Sequence, residues 1–189
     1  MPNWCFTSYC FEGEKAEITD LFQKLQSLSE RKESLLPNSF GKRWLGNVVH
    51  LFDGDWEKIY CRGSFDNLEM TDDILKFDTE TAWGEMNEVW DFVKKSYTSI
   101  RYFWMAEESG NVYYATNDSE GKYYPERFLI EETTSGTERY ETEGEVLKDL
   151  SNILNITVNT WDEIEPLIDK YNEEHPDETI HVNKIDIVE

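Results

Sequence analysis

Ile74-Leu75-Lys76-Phe77-Asp78-Thr79-Glu80-Thr81-Ala82-Trp83, then Gly84 and the run Met86-Asn87-Glu88-Val89-Trp90-Asp91-Phe92-Val93, is the stretch on which the fold turns. Leu75, Phe77, Thr79, Thr81 and Trp83 fall on one row of a period-two pattern, and Lys76, Asp78 and Glu80 fall on the other. That alternation predicts a β-strand with one wet side. Gly84 ends it. Met86, Val89, Trp90, Val93 and Tyr97 then recur three and four residues apart, which predicts an amphipathic helix over 85–97.

Working outward, Ile59 to Met70 pairs with this strand as a hairpin turning at Thr71-Asp72-Asp73. Asn3 to Phe11 reads as a strand with apolar or aromatic residues in both rows, as expected of a central strand covered on each side. Ile18, Leu21, Phe22, Leu25 and Leu28 place a helix over 14–33. Between them lies an excursion, Leu36 to Lys58, punctuated by Pro37, Asn38, Gly41, Gly46, Asp53 and Gly54, with one short apolar element at 45–52. Loops of that length in compact domains tend to carry function. Downstream, 100–107 and 112–116 read as a second hairpin around Ser109-Gly110, and 127–132 as a short strand.

The expected architecture is α+β: a ferredoxin-like β-α-β-β-α-β antiparallel sheet over residues 1–131, with an acidic C-terminal helical extension over 132–189. In the extension, Val146, Leu147, Leu150, Ile153 and Leu154 mark one helix. A second starts at Thr160, where Thr160-Trp161-Asp162-Glu163 fits a capping box ahead of Ile164, Leu167, Ile168 and Tyr171. A weak alternation over 179–188 predicts a last strand. Because both rows of the first sheet look apolar, these helices are expected to pack on or beside it.

The chain of 189 residues carries 40 acidic and 18 basic side chains, for a formal charge of −22. The balance is uneven: 18 acids and 12 bases lie before residue 107, and 22 acids and 6 bases from there on. Such a field repels phosphate backbones and anionic bilayers, so direct nucleic-acid and membrane binding are not expected. A basic protein partner is the counterpart that it favours. Seven Trp and ten Tyr mark a folded chain rather than a disordered one. Three cysteines, Cys5, Cys10 and Cys61, form no CxxC pair, and the start lacks a signal-peptide pattern. A reducing cytoplasm is the expected location.

No catalytic or cofactor motif emerges, and the expectation is neither catalysis, metal nor cofactor. Of the three histidines, only His50 lies near the excursion, and a Cys61–His50 pair is weaker than a buried structural thiol. Asp53-Gly54-Asp55-Trp56-Glu57 opens like a calcium loop but has Lys58 where the obligatory glycine belongs. Gly41-Lys42-Arg43 is a basic spot without the glycine pattern of a phosphate loop.

Three local patterns carry a resemblance: Met1-Pro2-Asn3-Trp4-Cys5, Phe40-Gly41-Lys42-Arg43-Trp44, and Phe77-Asp78-Thr79-Glu80-Thr81-Ala82-Trp83 ahead of a helix and the Tyr102–Tyr114 stretch. Over residues 1–131 the chain resembles the YubB-like, ferredoxin-like proteins of plasmids, phages and other mobile elements. The resemblance implies a ferredoxin-like sheet and membership in a family without an assigned activity, and it transfers no catalytic residues.

Two functions follow as expectations. The first is a non-catalytic binding or accessory protein of a mobile element, its carboxylates at Asp162, Glu163, Glu165, Asp169, Glu173 and Glu174 presented like nucleic-acid charge to a basic partner. The alternative is a ligand-binding protein or enzyme with a pocket between the 36–58 excursion and the 79–83 strand end, lined by Arg43, His50, Glu80 and Trp83. A homodimer packing two open sheet faces together is a third arrangement.

Overall fold

In a computed structural model, which describes residues 3–188, the chain is α+β and divides into two compact units, 1–113 and 114–189. Periodicity had set the boundary near residue 131. The first unit runs β1 (Trp4–Glu12), α1 (Lys15–Glu30), α2 (Leu45–Leu51), β2 (Gly63–Thr71), β3 (Ile74–Ala82), α3 (Asn87–Lys94) and β4 (Arg101–Glu108). Its strands lie in the order β2-β3-β1-β4, all neighbours antiparallel. The first two residues of the Met1-Pro2-Asn3-Trp4-Cys5 pattern lie outside the described residues.

The two rows of β1 have different fates. Cys5, Thr7, Tyr9 and Phe11 are buried, together with Leu75, Phe77, Thr79 and Thr81 of β3 and Trp104 and Ala106 of β4. Trp90 of α3 closes over them, 4.6 Å from Phe77, 5.5 Å from Tyr9 and 5.7 Å from Phe11 between ring centroids. The other row starts exposed: Trp4 keeps 38% and Phe6 53% of its surface, and Ser8 is hydrogen-bonded to the Asp78 carboxylate. Both rows of β1 look apolar in sequence, yet this end of the second row is open. Trp83 also departs from its expected row. It sits past the end of β3 at φ 75°, 55% exposed, because a left-handed residue breaks the alternation.

The apolar element of the excursion is α2, packed against α1 and α3. Asn47, fully buried in it, organises the preceding loop. Its Nδ2 donates to Ser34 Oγ and to the carbonyls of Gly41 and Lys42, and its Oδ1 accepts from the Leu36 N–H. The long excursion is therefore a hydrogen-bonded structure.

The second unit contains strands as well as the expected helices. β5 (Tyr113–Thr116) enters it and pairs in parallel with β9 (Asp186–Ile187). β6 (Phe128–Glu132), β7 (Gly136–Tyr140) and β8 (Ile180–Lys184) form a separate antiparallel sheet in the order β7-β6-β8. The apolar stripes of α4 (Glu143–Ile153) and α5 (Ile164–Glu174) meet that sheet: Val146, Leu150, Ile164 and Ile168 cluster with Ile130, Ile180 and Val158.

The capping box belongs to α4, not to the helix after Thr160. The Thr142 hydroxyl accepts from Glu145 N–H, and Glu145 accepts from Thr142 N–H. Thr160 makes no side-chain cap; Glu163 instead accepts from the Asn159 N–H at 2.8 Å. Pro166 accounts for the shift. It has no N–H to bond the Asp162 carbonyl, so residues 161–163 form a 3-10 turn and the α-helix starts at Ile164 with Pro166 in its first turn. No helix of the described residues is long and apolar enough to cross a membrane.

Candidate functional site

Two surface features stand out, one in each unit. In the first unit the excursion builds a hollow of about 570 Å³, walled by Phe40, Trp44, Trp56 and Tyr60, with Lys58 and Arg62 at its edge. Phe40 stacks on Trp44 at 6.3 Å and 14°, and Trp56 meets Trp44 edge-on at 5.2 Å. Trp44 is held by Gly46, where a Cβ would fall 2.4 Å from the indole carbons, so no larger residue fits there without moving the ring. Only 7% of Trp44 is exposed, and its buried indole N–H has no hydrogen-bond partner among the described residues. Lys58 is paired with Asp55 at 2.9 Å.

The hollow offers rings and cations but no nucleophile. Cys61, at its margin, donates to the Trp56 carbonyl at 3.6 Å, and burial pushes its thiol up to about 11. Cys5 is likewise pushed up to about 11, by burial first and with opposition from its Thr7 hydrogen bond. Both stay protonated near neutral pH, which removes the thiolate that nucleophilic chemistry requires. The Cys61–His50 pair considered above has no support in these bonds.

The four groups named for a ligand site do not line this hollow. Arg43 pairs with Asp66 on β2, Glu80 is exposed on β3 opposite Ser64, His50 is exposed in the last turn of α2, and Trp83 lies beyond β3. Arg43 and Glu80 flank β2 from opposite sides, since the Arg43 carbonyl accepts from Phe65 N–H on one edge of β2 while Glu80, on β3, pairs with Ser64 on the other. What periodicity missed was the ring set: Phe40, Trp44, Trp56 and Tyr60 are spread over an irregular segment, where no repeat announces a common face. The Asp53–Glu57 run is a turn after α2, with Asp55 engaged by Lys58. Among the described residues no three His, Cys, Asp or Glu side chains gather as a metal site.

In the second unit, Glu165, Asp169 and Glu173 are exposed and stand four residues apart, so they share one outward stripe along α5, and Asp162 is exposed in the 3-10 turn just ahead of it. Glu163 is half-buried and caps Asn159, and Glu174 lies 4.0 Å from Lys170, so these two carboxylates leave the stripe. Beside the stripe a groove of about 440 Å³ runs between α5 and β8. Its rim is Asp162, Glu165 and Asp169, and its floor includes Ile164, Ile168 and Val182.

A buried carboxylate braces the same unit. Asp118 accepts backbone N–H bonds from Lys122, Tyr123 and Tyr124. Burial works against its charge, but those three donors, with Arg127 nearby, hold its pKa below the usual carboxylate value. This is an architectural role.

Comparison with models of known protein families, with curated proteins and with solved structures gives no match for the chain.

Proposed function

We propose that this chain is a non-catalytic binding protein of a mobile genetic element, working in a reducing cytoplasm and docking a basic protein partner through its C-terminal unit. One observation carries the reading: three carboxylates, Glu165, Asp169 and Glu173, share a single exposed stripe of α5 rather than scattering over the surface, with Asp162 exposed in the turn that leads into it. A row of fixed negative charge along a rod is what a DNA-binding groove is built to receive, so the stripe can occupy such a groove as a phosphate strand does. The mobile-element assignment rests on the resemblance to YubB-like proteins. The strand order β2-β3-β1-β4, with helices after β1 and β3, supports reading the first unit as ferredoxin-like.

The test is a pull-down from bacterial lysate with the full chain and with a D162N/E165Q/D169N/E173Q variant. The reading expects basic, DNA-binding proteins to be retained by the first and lost by the second, and to be released by added duplex DNA. Equal recovery by both chains, or no basic protein at all, overturns it.

A second reading, small-molecule binding, is favoured by the stacked and edge-on rings of Phe40, Trp44 and Trp56 that wall the hollow. A flat aromatic ligand would pack against these rings. Quenching of tryptophan fluorescence across a metabolite panel, abolished in Trp44→Phe, is its expected outcome.

A further inference from the structure

We infer that the open edge of β8 receives an extended basic segment of the partner as an added, antiparallel β-strand lying in the groove against α5. This rests on the basic-partner reading and gives it a specific form.

β8 is the end strand of its sheet, bonded on one side to β6. Thr133 N–H donates to the Thr179 carbonyl at 3.0 Å and Ile185 N–H to the Arg127 carbonyl at 2.8 Å. In an antiparallel ladder the bonded pairs recur every second residue, so 179, 181, 183 and 185 turn toward β6 while Ile180, Val182 and Lys184 turn their N–H and C=O outward. At Ile180 those outward groups are already taken. Asn172 of α5 accepts from its N–H and donates to its carbonyl, each at 2.8 Å, imitating one residue of a neighbouring strand. That closes one end of the edge. The next outward residue, Val182, lines the groove, and among the described residues no side chain bonds its N–H and carbonyl as Asn172 does for Ile180.

The groove selects the occupant by charge and spacing. Side chains two apart on an added strand stand about 6.8 Å from one another. Glu165 and Asp169, four residues apart on α5, stand about 6 Å from one another along the helix axis. The residue opposite Val182 directs its side chain to the α5 side, as Val182 itself does. A Lys or Arg there lays its methylenes on Ile164 and Ile168 and carries its charge to the carboxylate rim. At the far end, the Lys184 ammonium lies 4.2 Å from the Trp161 ring centre, so its own charge is engaged by that ring. The fitting ligand is an extended segment with Lys or Arg at alternate positions.

The probe is a fluorescent peptide of about ten residues, alternating Lys and Thr, titrated by anisotropy into the full chain at low salt. One version carries N-methyl groups on the lysine nitrogens, which face β8 in the added strand, and another carries them on the threonine nitrogens, which face away. The inference expects the unmodified and threonine-methylated peptides to bind alike, the lysine-methylated peptide about tenfold or more weaker, and E165Q/D169N to weaken all binding. If both methylated peptides match the parent while E165Q/D169N still weakens binding, strand addition is overturned and the basic-partner reading survives. If binding ignores E165Q/D169N, or the parent peptide does not bind, the inference fails, and the lysate pull-down then decides the broader reading by itself.

Discussion

Asn47 and Glu17 show how single polar side chains fix segments that have no regular structure of their own. Replacing Asn47 by Ala removes the acceptor of the Leu36 N–H and a donor to the Lys42 carbonyl, while the Gly41 carbonyl keeps its bonds from the Ser34 hydroxyl and the Trp44 N–H. The expected cost is about 2–3 kcal/mol in chemical denaturation, with faster amide exchange at Leu36 as the local signature. Glu17, at the start of α1, accepts from the backbone N–H and hydroxyl of both Thr98 and Ser99, and these bonds, the Ser99 hydroxyl foremost, lower its pKa from 4.5 to about 2. A carboxylate held below its unfolded value contributes stability above about 4.5 that is lost as pH falls toward about 2. Glu17→Gln should therefore be less stable than the parent at neutral pH, and the gap should close across that window in denaturation curves taken at several pH values. Neither role was legible in the sequence. Each depends on a partner loop brought near by the fold, and a lone Asn or Glu carries no mark of it. Trp83 was misplaced for a related reason: period-two counting assumes extended backbone, and the left-handed φ at Trp83 ends it one residue early.

Elements with a buried stripe were legible in kind and place, because burial on one face imposes a period, but their ends were not: β2 starts at Gly63 rather than Ile59, and α3 spans Asn87–Lys94 rather than 85–97. The hairpin of β2 and β3 turns where Thr71-Asp72-Asp73 says it should, and α3 keeps Val89, Trp90 and Val93 inside. Trp90 is the residue on which that packing depends most, touching three rings at once, and Trp90→Ala is expected to cost about 3–5 kcal/mol by thermal or urea unfolding. β7 escaped notice because four of its five residues are exposed and the segment Gly-Thr-Glu-Arg-Tyr has no apolar row to alternate. Its pairing with β6 is carried by backbone bonds, which leave no trace in composition. Helix starts were legible as patterns but not as locations: two Thr-x-x-Glu runs exist, and Pro166 decides between them. Thr142→Ala should cost about 1 kcal/mol, whereas Thr160→Ala, which removes no side-chain cap, should fall within about 0.5 kcal/mol of the parent.

At the scale of the whole chain, charge was the most informative quantity in the sequence, and its distribution predicted which unit to inspect. It could not show which carboxylates act together. Of the six acids, α5 geometry keeps Glu165, Asp169 and Glu173 on one line, Asp162 stands exposed in the turn before the helix, and Glu163 and Glu174 go to local partners. Binding to a basic protein should weaken steeply with added salt, because screening grows and each ion released on binding gains less entropy as the bulk concentration rises. A titration of affinity between about 50 and 200 mM salt checks this, and a flat response would leave the stripe without a role.

The open edge of β8 has a second consequence, which concerns copies of the chain meeting one another. An unpaired strand edge is a template for self-association, and natural sheets blunt such edges with charge. Here the nearest carboxylates stand on α5 and repel an identical edge arriving with its own acidic wall, while Asn172 shortens the template by a residue. The same carboxylates that would draw a cationic strand thus serve as a guard against homotypic stacking. Salt should act in opposite directions on the two processes, loosening the basic complex and, near 1 M where the screening length falls to about 3 Å, letting the chain begin to self-associate. Light scattering of the E165Q/D169N variant at low salt should already show that association, and a strictly monomeric variant would relieve these residues of the guarding role.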